Sequence, residues 1–262
     1  MVRATRRTAR PSPDRPNRKP VVAWVGTSGW SYDHWHPELY PPGLPARDRL
    51  ACYTASFRTA ELNSSFYRWP GPARFRAWRE RLPPGFCLSV KAPRGLTHAR
   101  RLYQPEPWLD RIRAGWHELG GGRAVLLVQL GPQQPRDDAR LGYFLGLIPE
   151  WLRVAVEFRH SSWHCEDVYR LLETHRAAYC VLSGAQLPCV LRVTTDFAYV
   201  RLHGPDHQQL YAGSYSDADL GWWAERIREW QAGGRDVFAY FNNDGQANAV
   251  RNARTLRHLL GQ

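Results

Sequence analysis

The sequence predicts an α/β fold, a single-domain (β/α)8 TIM-type barrel, from its length and from a repeated alternation along the chain. The 262 residues suit one barrel, which typically takes about 250 residues. From residue 21 onward, eight short strand-like runs, six of them dominated by Val, Leu, Ala, Phe and Tyr, alternate with polar segments and helix-like stretches. Apolar strands separated by helices are typical of a parallel sheet covered on both faces. No linker interrupts the alternation, so we predict one domain over residues 21–262.

The predicted strands are short and mostly apolar. They are Val21–Val25, Arg58–Leu62, Phe86–Val90, Ala124–Leu130, Val154–Phe158, Ala178–Leu182, Ala198–Leu202 and Val237–Phe241. An open doubly wound sheet is the competing fold. However, Gly26-Thr27-Ser28-Gly29 follows the first strand, and this is not the GxGxxG fingerprint of a dinucleotide site. The barrel is therefore preferred.

Six helices are predicted between the strands from their apolar spacing and their boundary residues. They are Arg47–Phe57, Pro72–Arg81, Arg136–Leu147, Glu166–His175, Asp217–Gln231 and Gln246–Leu260. The crossover after the sixth strand, residues 183–195, contains Pro188 and has little helical periodicity. We expect that connection to be irregular.

Residues 1–20 differ from the rest of the chain in charge and composition. Their six arginines and one lysine against Asp14 give a net charge of +6, which leaves +6 of the total +12 for the other 242 residues. A segment with so few apolar side chains cannot offset its ordering entropy, so we predict a disordered basic tail. It lacks the apolar segment of an export signal. Such a tail is able to contact nucleic acid, and the simpler interpretation is a solvated extension.

Composition also bears on the compartment. The chain has five cysteines and no CxxC pair, which indicates neither a disulfide framework nor a zinc cage. A reducing cytoplasm fits best. No run of eighteen apolar residues occurs, so we predict no membrane-spanning segment.

Polar side chains gather at the predicted carboxyl-terminal ends of the strands, where barrel enzymes place their sites. Glu61 with Asn63, Glu157 with Arg159, and Arg201 with His203 are each two positions apart, so each pair shares one face of its strand. A charge buried in a strand costs several kcal/mol unless it is paired. The candidate substrate-binding residues are Ser28, Trp30, Asn63, His98, Gln129, Arg159, Trp163, Arg201, Asn242, Asn243 and Asp244.

The candidate catalytic residues are Glu61, Glu157, Lys91 and His203. The two glutamates can act as acid and base if their surroundings separate their pKa values. Among 36 basic residues the only lysines are Lys19 and Lys91, and lysine can lose its proton in a desolvated site whereas arginine cannot. We therefore expect a small polar or anionic ligand, phosphorylated, carboxylate or sugar-like.

Several alternatives stay open. Glu61, Glu157, His203 and Asp244 offer oxygen and nitrogen ligands for a divalent metal, although no contiguous ligand motif supports one. The same two glutamates suit a glycosidase only if they lie about 5–9.5 Å apart. In a non-catalytic protein, the charges would form a structural ring, or the barrel would bind an effector or nucleic acid. The sequence does not determine the oligomeric state.

Long motifs in the same order resemble the YecE-like family, a domain of unknown function with a TIM-type barrel. They lie at residues 25–32, 61–67, 86–91, 155–163, 199–204 and 240–244. The resemblance covers nearly all of the chain after residue 20, and it implies a barrel and a site at the strand ends but no established reaction. Two positions depart from the family pattern. Gly131-Pro132 replaces two prolines, and Gly184 replaces an aspartate.

Overall fold

Eight parallel strands close into a barrel in chain order, and the last strand pairs with the first. This confirms the predicted α/β barrel of TIM type. The computed structural model describes residues 21–262, and the predicted tail over residues 1–20 lies outside the described residues. The strands are β1 (Ala23–Ser28), β2 (Thr59–Leu62), β3 (Cys87–Lys91), β4 (Arg123–Leu130), β5 (Val154–Phe158), β6 (Ala178–Ser183), β7 (Phe197–Leu202) and β8 (Asp236–Phe241).

Helices connect the strands and cover the outside of the barrel. They are α1 (Arg49–Ser56), α2 (Ser64–Tyr67), α3 (Pro72–Arg81), α4 (Glu106–Glu118), α5 (Asp138–Gly146), α6 (Glu166–Thr174), α7 (Asp217–Ala232) and α8 (Asn248–Leu259). The crossover between β6 and β7 contains no helix, as its composition predicted. Within residues 21–262, no helix combines the length and apolar character needed to cross a bilayer.

The first strand lies further along the chain than its apolar residues predicted. It runs from Ala23 to Ser28, so Thr27 and Ser28 belong to the sheet and not to the loop after it. Gly26 keeps the strand close to its neighbour, because a Cβ atom there would lie 2.3 Å from the carbonyl oxygen of Thr59. A glycine that ordinarily weakens a strand here permits close backbone packing.

Helix α4 was absent from the sequence prediction. Prolines at positions 105 and 107 hide its beginning, although proline is well tolerated in the first turn of a helix. Gly115 interrupts its apolar pattern near the end. A Cβ at Gly115 would lie 2.4 Å from the ring of Phe75, so the glycine allows α4 to pack closely on α3.

The barrel interior changes from apolar to polar along the strands. Rings of Trp24, Phe197 and Phe238 pack together near the amino-terminal ends. The next inward positions hold Tyr199 and Tyr240, whose ring centroids lie 5.4 Å apart. Inward-facing residues of a strand recur every second position, and the next inward positions beyond the two tyrosines hold charged side chains. These side chains form a charged layer. The apolar and aromatic layers thus form the floor beneath the candidate site.

Candidate functional site

One buried arginine holds two buried glutamates at the carboxyl-terminal end of the barrel. Nη1 of Arg201 donates to Oε2 of Glu157 at 2.6 Å, and Nη2 donates to Oε1 of Glu61 at 2.7 Å. Arg201 is 1% exposed and both glutamates are 0% exposed. Sequence analysis predicted inward charges on these strands, and the structure brings these three together in one network.

Both carboxylate oxygens of Glu61 are occupied by donors. Nε of Arg201 lies 3.1 and 3.0 Å from Oε1 and Oε2. Tyr199 donates its hydroxyl to Oε2 at 2.6 Å, and Ser28 donates to Oε1. Asn63 donates to the Ser28 hydroxyl at 2.5 Å. Glu61 thus anchors the network, with its lone pairs already used.

Glu157 links this anchor to the pocket. Its Oε1 accepts from Nε2 of Gln129 at 2.5 Å and from Nε of Arg159. Burial alone would raise the pKa of Glu157, but the charges of Arg159 and Arg201 together hold the pKa well below its usual range. Glu157 is therefore a carboxylate at neutral pH. Burial would lower the pKa of Arg201, and the two glutamates instead raise it well above its usual value.

His203 lies beside this network as a neutral imidazole. Burial, together with the charge of Arg201, holds its pKa well below the usual range. Nη2 of Arg159 lies 3.1 Å from Nε2 of His203, and a guanidinium can only donate. The proton of the imidazole consequently sits on Nδ1. Nδ2 of Asn242 lies 3.2 Å from Nδ1, so the amide must be turned the other way to present its oxygen to that proton.

Lys91, the last residue of β3, differs from the arginines because it has no anionic partner. Within residues 21–262 its ammonium forms no ion pair or hydrogen bond with a side chain, and it lies 4.3 Å above the ring of Phe66. Burial, followed by the charge of Arg201, lowers the pKa of Lys91 to about 8. Lys91 is therefore a partly buried cation that can release its proton near neutral pH.

His98 approaches the same region from the π-helical turn Gly95–Ala99. Its ring lies edge-on to Phe66 with centroids 5.0 Å apart, and Nδ1 lies 3.0 Å from the Thr97 hydroxyl. Burial and the charge of Lys91 lower the pKa of His98. A Cβ at Gly131 would lie 3.0 Å from this ring, so the glycine gives His98 room beside the end of β4.

A cavity of about 410 Å³ opens above Arg159 and is named here the mouth pocket. Its volume falls within the range of small-molecule sites. Glu61, Glu157 and Lys91 do not line it. A larger cavity of about 790 Å³ lies near the opposite end of the barrel, beside Arg153 and Phe197. The mouth pocket is lined by His98, Gln129, Pro132, Arg159, Ala185, Gln186, Leu187, Gln208, Leu210 and Tyr211.

Three of the sequence-predicted residues, His98, Gln129 and Arg159, line this pocket, and four others lie in different surroundings. Trp163 is buried, stacks on Phe158 at 4.8 Å and donates to a backbone carbonyl, so its role is packing. Asn243 donates to Asn252 and to the carbonyl oxygen of Gly213, which fixes a loop. Trp30 lines a separate cavity. Asp244 accepts from the indole of Trp35 at 2.6 Å.

Sequence analysis missed residues that the structure places at the site. Tyr199 is two positions before Arg201 on β7, so the period of the strand was sufficient to find it. The loop residues Leu210 and Tyr211 carried no such signal, because a loop has no fixed periodicity. Their loop comes close to Gly184, where a Cβ would lie 2.9 Å from Cδ1 of Leu210 and 2.8 Å from Cβ of His203.

The metal alternative depends on whether acidic and histidine ligands converge. Within residues 21–262, no group of three His, Cys, Asp or Glu side chains is arranged to hold a metal ion. Glu61 and Glu157 instead accept from arginine, and His203 accepts from Arg159. Asp244 pairs with His34 at 3.1 Å. The donor set fits an anion better than a cation.

Comparison with known proteins places the chain among uncharacterised relatives. It is 26% identical to the UPF0759 protein YunF of Bacillus subtilis strain 168, covering 91% of this chain and 95% of that protein. The crystal structure of a DUF72 family protein (TM1631) from Thermotoga maritima MSB8 superposes with a TM-score of 0.83 at 27% identity. That match covers 92% of this chain and 100% of the other.

A second solved structure extends the likeness in fold. A DUF72 family protein (EF0366) from Enterococcus faecalis V583 has a TM-score of 0.78 at 18% identity, covering 92% of this chain and 96% of the other. Residues 24–262 match the family described as "Protein of unknown function DUF72". Nearly the whole barrel, including the charged layer, falls within that match. The chain therefore belongs to the DUF72 family, whose function is described as unknown.

Proposed function

We propose that the protein is an enzyme that binds a small anionic compound in the mouth pocket. The observation that carries the proposal is the free cation of Lys91, which no carboxylate among the described residues neutralises. Lys91 does not line the pocket itself, but it lies against the ring of Phe66, as does the pocket-lining His98. The charged layer contains two carboxylates and three cations, so it carries one excess positive charge while Lys91 is protonated. The carboxylates are Glu61 and Glu157, and the cations are Arg201, Arg159 and Lys91. A phosphate or carboxylate group would complete it.

The surroundings of Lys91 favour it over the glutamates as the group that transfers a proton. Glu157 is ionised, buried and hydrogen-bonded to three donors, so it cannot serve as a general acid near neutral pH. A lysine with a pKa of about 8 is divided between its acid and base forms close to neutral pH. In this proposal Glu157 positions Arg159, Arg159 binds the anion, and Lys91 exchanges the proton.

A second candidate is a barrel that binds an anion without chemistry. Its support is the saturation of Glu61, whose oxygens all accept from Arg201, Tyr199 or Ser28. A fully paired network is also what a structural charge ring would show. The two candidates predict the same ligand at the same pocket and differ only in turnover.

The experiment is a thermal-shift panel on the full chain with inorganic phosphate, phosphorylated metabolites, carboxylates and sugars. A ligand at a hundred times its dissociation constant adds about 2.7 kcal/mol of stability, which at about 2–4 °C per kcal/mol is a shift of about 5–10 °C for a protein of this size. Lys91→Met should abolish the shift while folding normally, because it removes a partly buried cation that has no anionic partner. Arg100→Ala, an exposed arginine outside the pocket, is the matched control.

Each hit is then incubated with the parent protein and followed for product. Turnover that Lys91→Met removes supports the enzyme, and binding without turnover supports the second candidate. Shifts that persist unchanged in Lys91→Met contradict the proposed site.

We also propose two broader assignments. The YecE-like motifs lie within the residues that match DUF72, which supports treating the two names as one family. All five cysteines are free thiols, which supports a reducing compartment such as the cytoplasm.

A further inference from the structure

A second cavity, outside the mouth pocket, combines aromatic rings with arginines. It has a volume of about 530 Å³ and lies between the loop after β1, the end of β2 and helix α3. Trp30 and Trp78 line it, with ring centroids 6.1 Å apart and planes nearly perpendicular. Arg47, Arg74 and Arg81 also line it. This arginine cavity is large enough for a small ligand.

The arginines of this cavity have little compensating negative charge. Arg47 approaches Asp48 at 3.7 Å, but both side chains are exposed and such a pair is weak. Within residues 21–262, Arg74 and Arg81 form no ion pair with a carboxylate. Arg74 instead lies 5.6 Å above the ring of Trp78. Three guanidinium groups around one opening favour a phosphate, which they bind with charge-assisted hydrogen bonds.

The inner wall of the arginine cavity also contains a hydrogen-bond acceptor without a donor among the described residues, which a ligand would have to satisfy. Oδ1 of Asn63 is buried and accepts no hydrogen bond from the described residues. Its orientation is fixed, because the Ser28 hydroxyl gives its single proton to Glu61 and can therefore only accept from the Asn63 amide. Oδ1 must then face away from Ser28. Asn63 also lines the arginine cavity, so a ligand with an N–H or O–H group would satisfy this acceptor.

We propose that the arginine cavity binds a nucleoside monophosphate. The ring would pack against Trp30, a donor of the base or ribose would reach Oδ1 of Asn63, and the phosphate would lie among Arg47, Arg74 and Arg81. Each of the three observed features corresponds to one part of such a ligand. Inorganic phosphate satisfies only the arginines, and an uncharged nucleoside satisfies only the ring and the acceptor. This site is independent of the function proposed for the mouth pocket.

The test is calorimetric titration of the full chain with adenosine and uridine monophosphates, their nucleosides and inorganic phosphate. We expect at least one nucleotide to bind with a Kd below about 1 mM, and its nucleoside and phosphate to bind at least tenfold more weakly. The double variant Arg74→Ala/Arg81→Ala should weaken nucleotide binding by at least tenfold. The control Arg79→Ala/Arg100→Ala removes the same charge from exposed positions outside the cavity and should change it less than twofold.

Four results would overturn the proposal. The first is the absence of binding by either nucleotide at millimolar concentration. The second is an equal loss of nucleotide affinity in both double variants, since this would indicate a long-range effect of net charge. The third is a loss of nucleotide affinity that is caused by Lys91→Met but not by Arg74→Ala/Arg81→Ala. This result would place the nucleotide in the mouth pocket. The fourth is inorganic phosphate that binds as tightly as the nucleotide and loses this binding in Arg74→Ala/Arg81→Ala, because the ring would then contribute nothing.

Discussion

Arg201 and Glu157 form the ion pair that connects the floor of the barrel to its pocket. Their contact is 2.6 Å, and both are almost fully buried. Arg201 is anchored from below by Glu61, and Glu157 in turn holds Arg159 at the pocket surface. The network therefore fixes the position of Arg159 without exposing either carboxylate.

Replacing Arg201 should destabilise the protein strongly. Arg201→Met leaves Glu61 and Glu157 buried with fewer partners, and breaking a buried pair costs about 3–5 kcal/mol. The free energy of unfolding in urea measures this loss. Arg79→Ala, at an exposed position of α3, should change it by less than about 0.5 kcal/mol. A loss below about 1 kcal/mol for Arg201→Met would show that the network adds little to stability.

Stability should fall as the pH drops below about 6.5, the ordinary pKa of histidine. The folded protein keeps His203 neutral, because its pKa is well below that value, whereas the unfolded chain takes up a proton there. The contribution of His203 is thus fully present above about pH 6.5 and is lost as the pH falls toward its folded pKa. Burial also lowers the pKa of His98 and His164, so they add to the effect.

The measurement is the urea midpoint of unfolding between pH 8 and pH 5.5. His203→Gln should flatten its dependence on pH relative to the parent protein. His258→Gln, at an exposed position of α8, should leave the dependence unchanged. An identical slope for His203→Gln and the parent would contradict the assignment of a neutral imidazole.

Replacing each of two glycines with alanine should change the stability of the protein in opposite directions. Gly184→Ala should cost about 1–3 kcal/mol, because the new Cβ would press on His203 and Leu210 at 2.8 and 2.9 Å. Gly221→Ala should instead stabilise α7 by about 0.4–1 kcal/mol, since no atom lies within 4 Å of its Cβ position. Thermal unfolding of the two variants checks both signs. If Gly184→Ala left the stability unchanged, the loop that carries Leu210 would be able to move away at little cost in free energy.

The fold followed from the sequence because each strand carried a local signal. Alternating apolar runs predicted all eight strands, and Val154–Phe158 matched at both ends. Where the prediction differed, a tertiary contact had overridden local preference, as at Gly26 in β1 and at Gly115 in α4. Neither contact is visible in the chain itself.

Strand periodicity was the signal that predicted the charged layer of the candidate site, so it could predict only residues that lie on strands or directly after them. That period placed Glu61, Glu157 and Arg201 on one inward layer. It did not reveal that Arg201 saturates the glutamates, since pairing across the barrel depends on side-chain distances. Trp163 resembled a pocket residue by its position after β5, but packing against Phe158 turned it away from the site.

The central claim is that Lys91 is a titratable cation available to an anionic ligand. The most direct measurement is calorimetric binding of inorganic phosphate, or of the strongest anion from the thermal-shift panel, between pH 7 and pH 9.5. Because the pKa of Lys91 is about 8, affinity should fall above that pH in the parent as its charge is lost. Lys91→Arg should keep its affinity throughout this range, since arginine stays protonated, and Lys91→Met should bind weakly at every pH. Equal affinities for the parent, Lys91→Arg and Lys91→Met across the whole range would contradict the account.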